Sequence, residues 1–174
     1  CFNVETRCAG IIRSLQEYGC FIIAVNDGSL DHTGEILNTL GVTVITHDVN
    51  RGKGMALRSG LAYFLEQGNW DYAATVDADG QHDPHEIPAM MELLRREKID
   101  LLIGSRQFEL GKMPWKRWFA NQVSSFFISL CLRTRIKDIQ SGYRIYRREF
   151  VERILPQIQS VGFEIETELL CLAL

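Results

Sequence analysis

The amino-acid sequence predicts an α/β fold with a mostly parallel central sheet flanked by helices. Three observations support this prediction: short apolar, β-branched runs recur along the chain, longer segments of helical periodicity separate them, and acidic or glycine-rich turns follow several of the runs. Alternation of this kind is typical of a parallel sheet covered by helices. Because 174 residues bury enough surface for one sizeable core, we expect residues 1–174 to form a single domain.

Four strands and four helices are predicted in alternation. The apolar runs place strands at about 20–26, 42–46, 71–77 and 99–104, and the helical periodicity places helices at about 31–40, 53–68, 84–97 and 116–132. The helix start at Pro84 is the clearest, because Asp83 can accept from free N–H groups and proline suits the first helical position.

Both ends of the chain look truncated, since the sequence begins at Cys1 without methionine and stops inside an apolar helical pattern at Leu174. The five cysteines are odd in number and show no C-x-x-C spacing, which favours a reducing, cytoplasmic location over a disulfide framework or a zinc knuckle. The most apolar stretch, residues 118–132, is interrupted by polar side chains and is shorter than the roughly 20 apolar residues of a membrane-spanning helix.

Positive charge is concentrated in one part of the chain. Residues 1–105 carry 8 basic and 15 acidic side chains, whereas residues 106–148, which we call the basic segment, carry 10 and 2. The formal net charge of the whole chain is −3, which gives no reason to expect a nucleic-acid partner. A basic segment in an acidic protein indicates an anionic partner, or else a solvated basic face.

The most specific motif is Asp77-Ala78-Asp79-Gly80-Gln81, which follows an apolar run directly. Period two along a strand would put Asp77 and Asp79 on the same side. Two hard oxygen ligands at a strand end suit Mg²⁺ or Mn²⁺ that bridges to substrate phosphates. The alternative is that both aspartates only stabilise the following turn.

Three further segments place polar groups at predicted strand ends, where open α/β sheets bind ligands. Asp27 ends the first strand at a glycine turn and suits a ribose or base donor, although a plain turn residue is equally compatible. Asn50–Gly54 is a glycine-rich turn that is suited to phosphate but lacks the P-loop pattern. Arg106 adds a guanidinium that can form bidentate phosphate contacts.

Taken in order, these segments resemble family 2 of the inverting glycosyltransferases, and within it the dolichyl- and polyprenyl-phosphate sugar synthases. The stretches that carry the resemblance span nearly the whole chain: Val25–Ser29, Asn50–Gly54, Asp77–His82, Gly104–Arg106, Asp138–Arg144 and Phe163–Glu166.

The resemblance implies the GT-A nucleotide-sugar-binding fold and assigns roles to residues. The implied donor-binding residues are Phe2, Val25, Asp27, Lys53, Asp77, Ala78, Asp79 and Arg106; Asp77, Asp79 and Gln81 would surround Mg²⁺ or Mn²⁺; and Asp138, Arg106 and Arg117 would serve catalysis, Arg117 on the acceptor side. The start of the chain departs from the family pattern, since Phe2 stands for the usual tyrosine and Val4 for a nucleotide-contacting glutamate.

The function implied is metal-dependent transfer of a sugar from a UDP- or GDP-sugar to an acceptor, with a polyprenyl phosphate as the expected acceptor and a peripheral contact with the cytoplasmic face of a membrane. A lipid phosphate is already an anion at neutral pH and needs no strong base. Asp138 would then orient the acceptor, stabilise positive character on the sugar, or serve structure by accepting from backbone N–H groups before Gly142. With an alcohol acceptor, Asp138 would be the candidate base. Two alternatives stay open: a sugar-phosphate nucleotidyltransferase and a catalytically silent nucleotide-sugar-binding module.

Overall fold

A computed structural model of the protein describes residues 1–68, 70–80, 82–105 and 138–173. In these ranges the strands are β1 (Ile23–Asp27), β2 (Thr43–His47), β3 (Tyr72–Thr75), β4 (Leu101–Ile103) and β5 (Arg144–Arg147). The helices are α1 (Cys8–Gln16), α2 (Thr33–Thr39), α3 (Lys53–Glu66), α4 (Ile87–Glu97), α5 (Arg148–Ile154) and α6 (Ile165–Ala173), with 3₁₀ turns at Pro84–Glu86 and Leu155–Gln157.

The described strands form one parallel pair and one antiparallel group of three. β1 pairs with β2 in parallel, from Ile23 opposite Thr43 to Asp27 opposite His47. β5 lies between β3 and β4 and runs antiparallel to both. The start of β5 therefore lies beside the ends of β3 and β4, with Arg144 opposite both Thr75 and Ile103. This arrangement brings the residues after β3 next to the residues before β5.

Apolar side chains from several elements hold this arrangement together. Among the described residues, the largest buried cluster joins Leu61 of α3 and Ala73 of β3 to Phe150 of α5 and Leu169 of α6. Complete burial of a side chain such as Phe150 contributes about 1.5–3 kcal/mol. The cluster fixes α3 and α6 against the same strands, so residues at the N-terminal ends of these two helices meet near the end of β3.

The predicted strands and helices in the described ranges are found, with shifted ends. The second and third predicted helices correspond to α3 and α4, and the Asp83 side chain accepts from the N–H of His85 at 3.0 Å, as its predicted capping role requires. The structure adds α1, α5, α6 and the antiparallel strand β5 to the four strands and four helices that were predicted. The predicted helix at about 116–132 lies outside the described residues.

None of the helices in the described ranges combines the length and the apolar character needed to cross a lipid bilayer.

Candidate active site

Neither aspartate of the central motif lies on a strand: Asp77 follows the end of β3, and Asp79 lies in the next turn. β3 ends at Thr75, two residues before Asp77, and the chain is already turning at Ala78 and Asp79. The predicted strand to residue 77 is therefore shorter than its apolar run, so strand periodicity does not apply to Asp77 and Asp79. A common ligand for Asp77 and Asp79 stays a prediction.

The Asp77 carboxylate is bound by a lysine from the start of α3. Lys53 Nζ lies 2.8 Å from Oδ1 and 3.1 Å from Oδ2 of Asp77. The same ammonium lies 2.5 Å from Oε1 of Glu166, in the first turn of α6. Burial alone would lower the pKa of Lys53, but the neighbouring Asp77 and Glu166 outweigh it, so the pKa is raised and the ammonium stays protonated at neutral pH.

Asp77 is also packed against the backbone that precedes β5. A Cβ atom added to Gly142 would collide with both carboxylate oxygens of Asp77, so only glycine leaves room for this carboxylate. The loop that carries Gly142 is fixed by the buried Arg144, whose guanidinium donates to the carbonyls of Ile139, Ser141 and Glu166 at 2.8–2.9 Å. Arg144 thus joins the Gly142 loop to the start of α6.

Asp27 faces the protein interior, with an exposed fraction of 3%. Its Oδ1 accepts from the N–H of Arg51 at 2.9 Å and is 2.6 Å from Nδ1 of His47, while Oδ2 accepts from the N–H of Gly52 at 2.9 Å. Asp27 therefore anchors the turn that leads into α3 and positions Lys53. A contact of Asp27 with a nucleoside stays a prediction and would have to use its remaining acceptor capacity.

The backbone of the glycine-rich turn is used inside the protein. Beyond the two N–H groups bound by Asp27, those of Gly54 and Met55 donate to the carbonyl of Val161 at 2.9 and 3.4 Å. Gly52 and Gly54 lie so close to the backbone at residues 160–161 that a side chain would collide with it. A contact of this turn with phosphate stays a prediction, and it would have to use the Lys53 side chain, because these four N–H groups are already bound within the protein.

The anchoring role of Asp27 can be tested through stability. Burial alone would raise the pKa of the Asp27 carboxyl, but hydrogen bonds from Arg51, His47 and Gly52 outweigh burial and lower it. A lowered pKa stabilises the fold above pH 4, and this contribution is lost as the pH falls through the folded-state pKa. We expect Asp27→Asn to cost about 2–3 kcal/mol at pH 7, with a smaller cost below pH 4.

Chemical denaturation at pH 7 and below pH 4 measures this effect, and Asp48→Asn on the exposed side of the same region serves as the matched control. Equal small effects of the two substitutions at pH 7 would contradict the anchoring role.

The other predicted site residues do not all lie beside Asp77 and Lys53. Val25 lines a cavity of about 190 Å³ between β1 and β3, together with Lys53, Asp77 and Glu166. The carbonyl of Asp79 accepts from Arg7 at 2.8 Å; Ala78 lies in the same turn, and Phe2 is 43% exposed. Asp138 is buried at the start of the loop before β5. Gln81, Arg106 and Arg117 lie outside the described residues.

Glu166, Gly142 and Arg144 are site residues to which the sequence reading gave no role. All three lie in stretches that carried the family resemblance. A family resemblance identifies a segment of the sequence but not the contacts of its residues. The contact of Glu166 with Lys53 joins residues that are far apart in the sequence, so it can be seen only in the folded chain.

The described residues offer a divalent cation two carboxylates, those of Asp77 and Glu166, which both contact the ammonium of Lys53. They do not by themselves supply a complete site, since no group of three or more His, Cys, Asp or Glu side chains within the described ranges is arranged around a common point. Carboxylate oxygens are the ligands that Mg²⁺ and Mn²⁺ prefer, usually one or two of them together with substrate phosphates, but a cation at Asp77 would have to displace Lys53 from it.

Comparison with known sequences identifies a family. The profile of glycosyl transferase family 2 matches residues 1–155. The chain is 34% identical to the uncharacterised protein MJ1222 of Methanocaldococcus jannaschii, over 99% of this chain and 72% of that protein. It is 32% identical to the undecaprenyl-phosphate mannosyltransferase of Micrococcus luteus, over 85% of this chain and 63% of that protein.

Comparison with solved structures supports the fold. Glucosyl-3-phosphoglycerate synthase from Mycobacterium tuberculosis, solved with phosphoglyceric acid, matches 98% of this chain with a TM-score of 0.72 at 20% identity. The chain spans 61% of that protein. The same enzyme solved with Mn²⁺, uridine-diphosphate-glucose and phosphoglyceric acid matches with a TM-score of 0.70. These neighbours are GT-A glycosyltransferases, so the predicted GT-A fold is confirmed.

Proposed function

Because the chain belongs to glycosyl transferase family 2, we propose that it transfers a sugar, with inversion, from a UDP- or GDP-sugar to a polyprenyl phosphate and requires Mg²⁺ or Mn²⁺. The proposed acceptor is supported by relatives such as the polyprenol monophosphomannose synthase of Mycolicibacterium smegmatis, which is 32% identical over 85% of this chain and 59% of that protein. The proposed cation is supported by the Mn²⁺ in the structural neighbours.

The observation that carries this proposal is the contact of Lys53 with Asp77 and Glu166 at the end of β3. The three charges line a cavity whose walls are mostly apolar. Electrostatic interactions there are less screened than at the open surface. This cavity is suited to an anionic ligand that binds as a complex with a cation, such as a nucleoside diphosphate.

The chain's own residues have distinct roles in the proposed reaction. Asp77 and Asp79 would hold the cation, which on binding stabilises the negative charge that develops on the departing diphosphate. Lys53 would donate to the same diphosphate from the start of α3. Gly142 and Arg144 keep the Asp77 carboxylate in place, and Asp27 holds the turn from which Lys53 projects.

The acceptor side rests on residues whose function is inferred from sequence. Asp138 is buried in the segment that leads to Gly142, and in the proposed reaction it would orient an acceptor phosphate by fixing this segment. Arg106 and Arg117 of the basic segment would bind the acceptor or donor phosphates, and the segment would contact an anionic membrane surface.

Asp138→Asn is expected to lower turnover by about 10²-fold while leaving donor affinity within about threefold, because a small misplacement of an acceptor costs rate rather than donor binding. Steady-state kinetics combined with donor titration separates the two quantities. The exposed Asp71→Asn is the matched control. Equal losses of donor affinity and turnover would place Asp138 at the donor, and no loss would make it structural.

A donor and acceptor panel tests the proposed function. UDP- and GDP-sugars are incubated with Mn²⁺ and with undecaprenyl phosphate, dolichyl phosphate, phosphoglyceric acid or no acceptor, and the products are separated. The proposal requires a glycosylated lipid phosphate and release of nucleoside diphosphate. Release of pyrophosphate would identify a nucleotidyltransferase, and donor binding without any product would identify a silent binding module.

A further inference from the structure

Lys53 pairs with the carboxylate that is proposed to hold the divalent cation. Its ammonium contacts both oxygens of Asp77, at 2.8 and 3.1 Å. It projects from the first residue of α3, and the turn before it is anchored to Asp27 and Val161, so the start of the side chain is fixed while its four-carbon stem can move. Lys53 therefore serves as an internal counter-cation for Asp77.

Glu166 is buried, which is unusual for a glutamate. Its side chain is only 5% exposed, and Lys53 is its ion-pair partner at 2.5 Å. Its Oε2 accepts no hydrogen bond from any residue in the described part of the chain. Arg144 fixes the backbone of Glu166 by donating to its carbonyl at 2.9 Å. A buried carboxylate with one partner is costly unless that partner stays within reach.

We propose that Lys53 is exchanged between two carboxylates: it neutralises Asp77 until a divalent cation binds there, and Glu166 then retains it beside the donor diphosphate. This inference rests on the proposed function, since it takes Asp77 as a ligand of the cation. It makes Glu166 a positioning residue that acts through Lys53.

Charge repulsion explains why Lys53 would leave Asp77 when a divalent cation binds. An ammonium and a divalent cation repel each other strongly at a few ångströms in a partly buried site, so both cannot occupy the Asp77 carboxylate. Glu166 holds the displaced ammonium, and the ring of Phe163, whose centroid is 5.7 Å from Lys53 Nζ, gives it a further favourable contact. The cation must therefore compete with Lys53, and a diphosphate that attracts Lys53 away from Asp77 should promote cation binding.

The test measures Mn²⁺ binding to the protein without donor, by titration and electron paramagnetic resonance of free Mn²⁺. Lys53→Met should bind Mn²⁺ about tenfold more tightly than the original protein, because the competing charge is gone. Glu166→Gln should bind it about fivefold more weakly, because the displaced ammonium loses its second partner. The two substitutions thus act in opposite directions.

The double variant Lys53→Met/Glu166→Gln separates action through Lys53 from simple loss of charge. If Glu166 acts through Lys53, Glu166→Gln should change the Mn²⁺ affinity less than about twofold in the Lys53→Met background. The double variant also leaves no unpaired buried carboxylate, so it remains informative if Lys53→Met alone is unstable. Lys98→Met and Glu92→Gln remove the same charges at exposed positions and serve as controls.

Each outcome has a defined meaning. Unchanged or weaker Mn²⁺ binding in Lys53→Met, or the same effect of Glu166→Gln in both backgrounds, would overturn the exchange while leaving the proposed function intact. Absence of Mn²⁺ binding in every variant, with donor binding preserved, would overturn the assignment of the cation to Asp77 and the exchange with it.

Discussion

Replacement of Asp77 by alanine is expected to reduce sugar transfer by about 10³-fold and to remove the response of donor binding to Mn²⁺. Asp77 lies at the end of β3, its carboxylate faces a cation, and Gly142 and Lys53 hold it in place. Without it, Lys53 retains only Glu166 as an acidic partner among its described contacts, and the site loses the carboxylate proposed to hold the cation.

Donor titration with and without Mn²⁺, together with initial rates, measures this effect. Asp77→Asn preserves the size of the side chain and should behave like Asp77→Ala if charge is the cause. Asp71→Ala, four residues before the end of β3 and exposed, is the matched control. Original affinity and an unchanged Mn²⁺ response in both Asp77 variants would refute the central assignment of the site.

The sequence predicted those elements whose pattern is local. The apolar runs of β1 and β2, the helical periodicity of α3 and the Asp83 cap all depend on neighbouring residues, and each is found. β5 was not predicted because it is a four-residue strand with arginine at both ends. Its identity depends on pairing with β3 and β4, which are distant in the sequence.

The difference between local patterns and contacts of distant residues also explains which parts of the candidate site could be predicted. Asp77 was recognisable because a carboxylate directly after an apolar run is a local signal. The contact of Lys53 with Glu166 joins the starts of α3 and α6, and only packing of both helices on one core brings them together. The glycine-rich turn appeared suited to phosphate, but its N–H groups are bound by Asp27 and Val161, and sequence reasoning does not reveal partners that distant.

Gly142→Ala is expected to lower sugar transfer by about 10²-fold, even though it changes no charged or hydrogen-bonding side chain. The added methyl group would occupy the space of the Asp77 carboxylate and force it away from Lys53. Overpacking of this kind costs about 1–3 kcal/mol of stability. Gly10→Ala in α1 is the matched control, because nothing lies within 4 Å of its added Cβ and alanine favours the helix by about 0.5–1 kcal/mol.

A double-mutant cycle identifies the cause of the Gly142 effect. In an Asp77→Ala background the oxygens that the new methyl group would meet are absent, so Gly142→Ala should cost less than about 0.5 kcal/mol there, measured by chemical denaturation. The full cost in both backgrounds would show that Gly142 is needed for the loop backbone instead. Normal transfer and an unchanged Mn²⁺ response in Gly142→Ala would show that the Asp77 carboxylate can move without loss of function, and thus that its position beside Gly142 is not required.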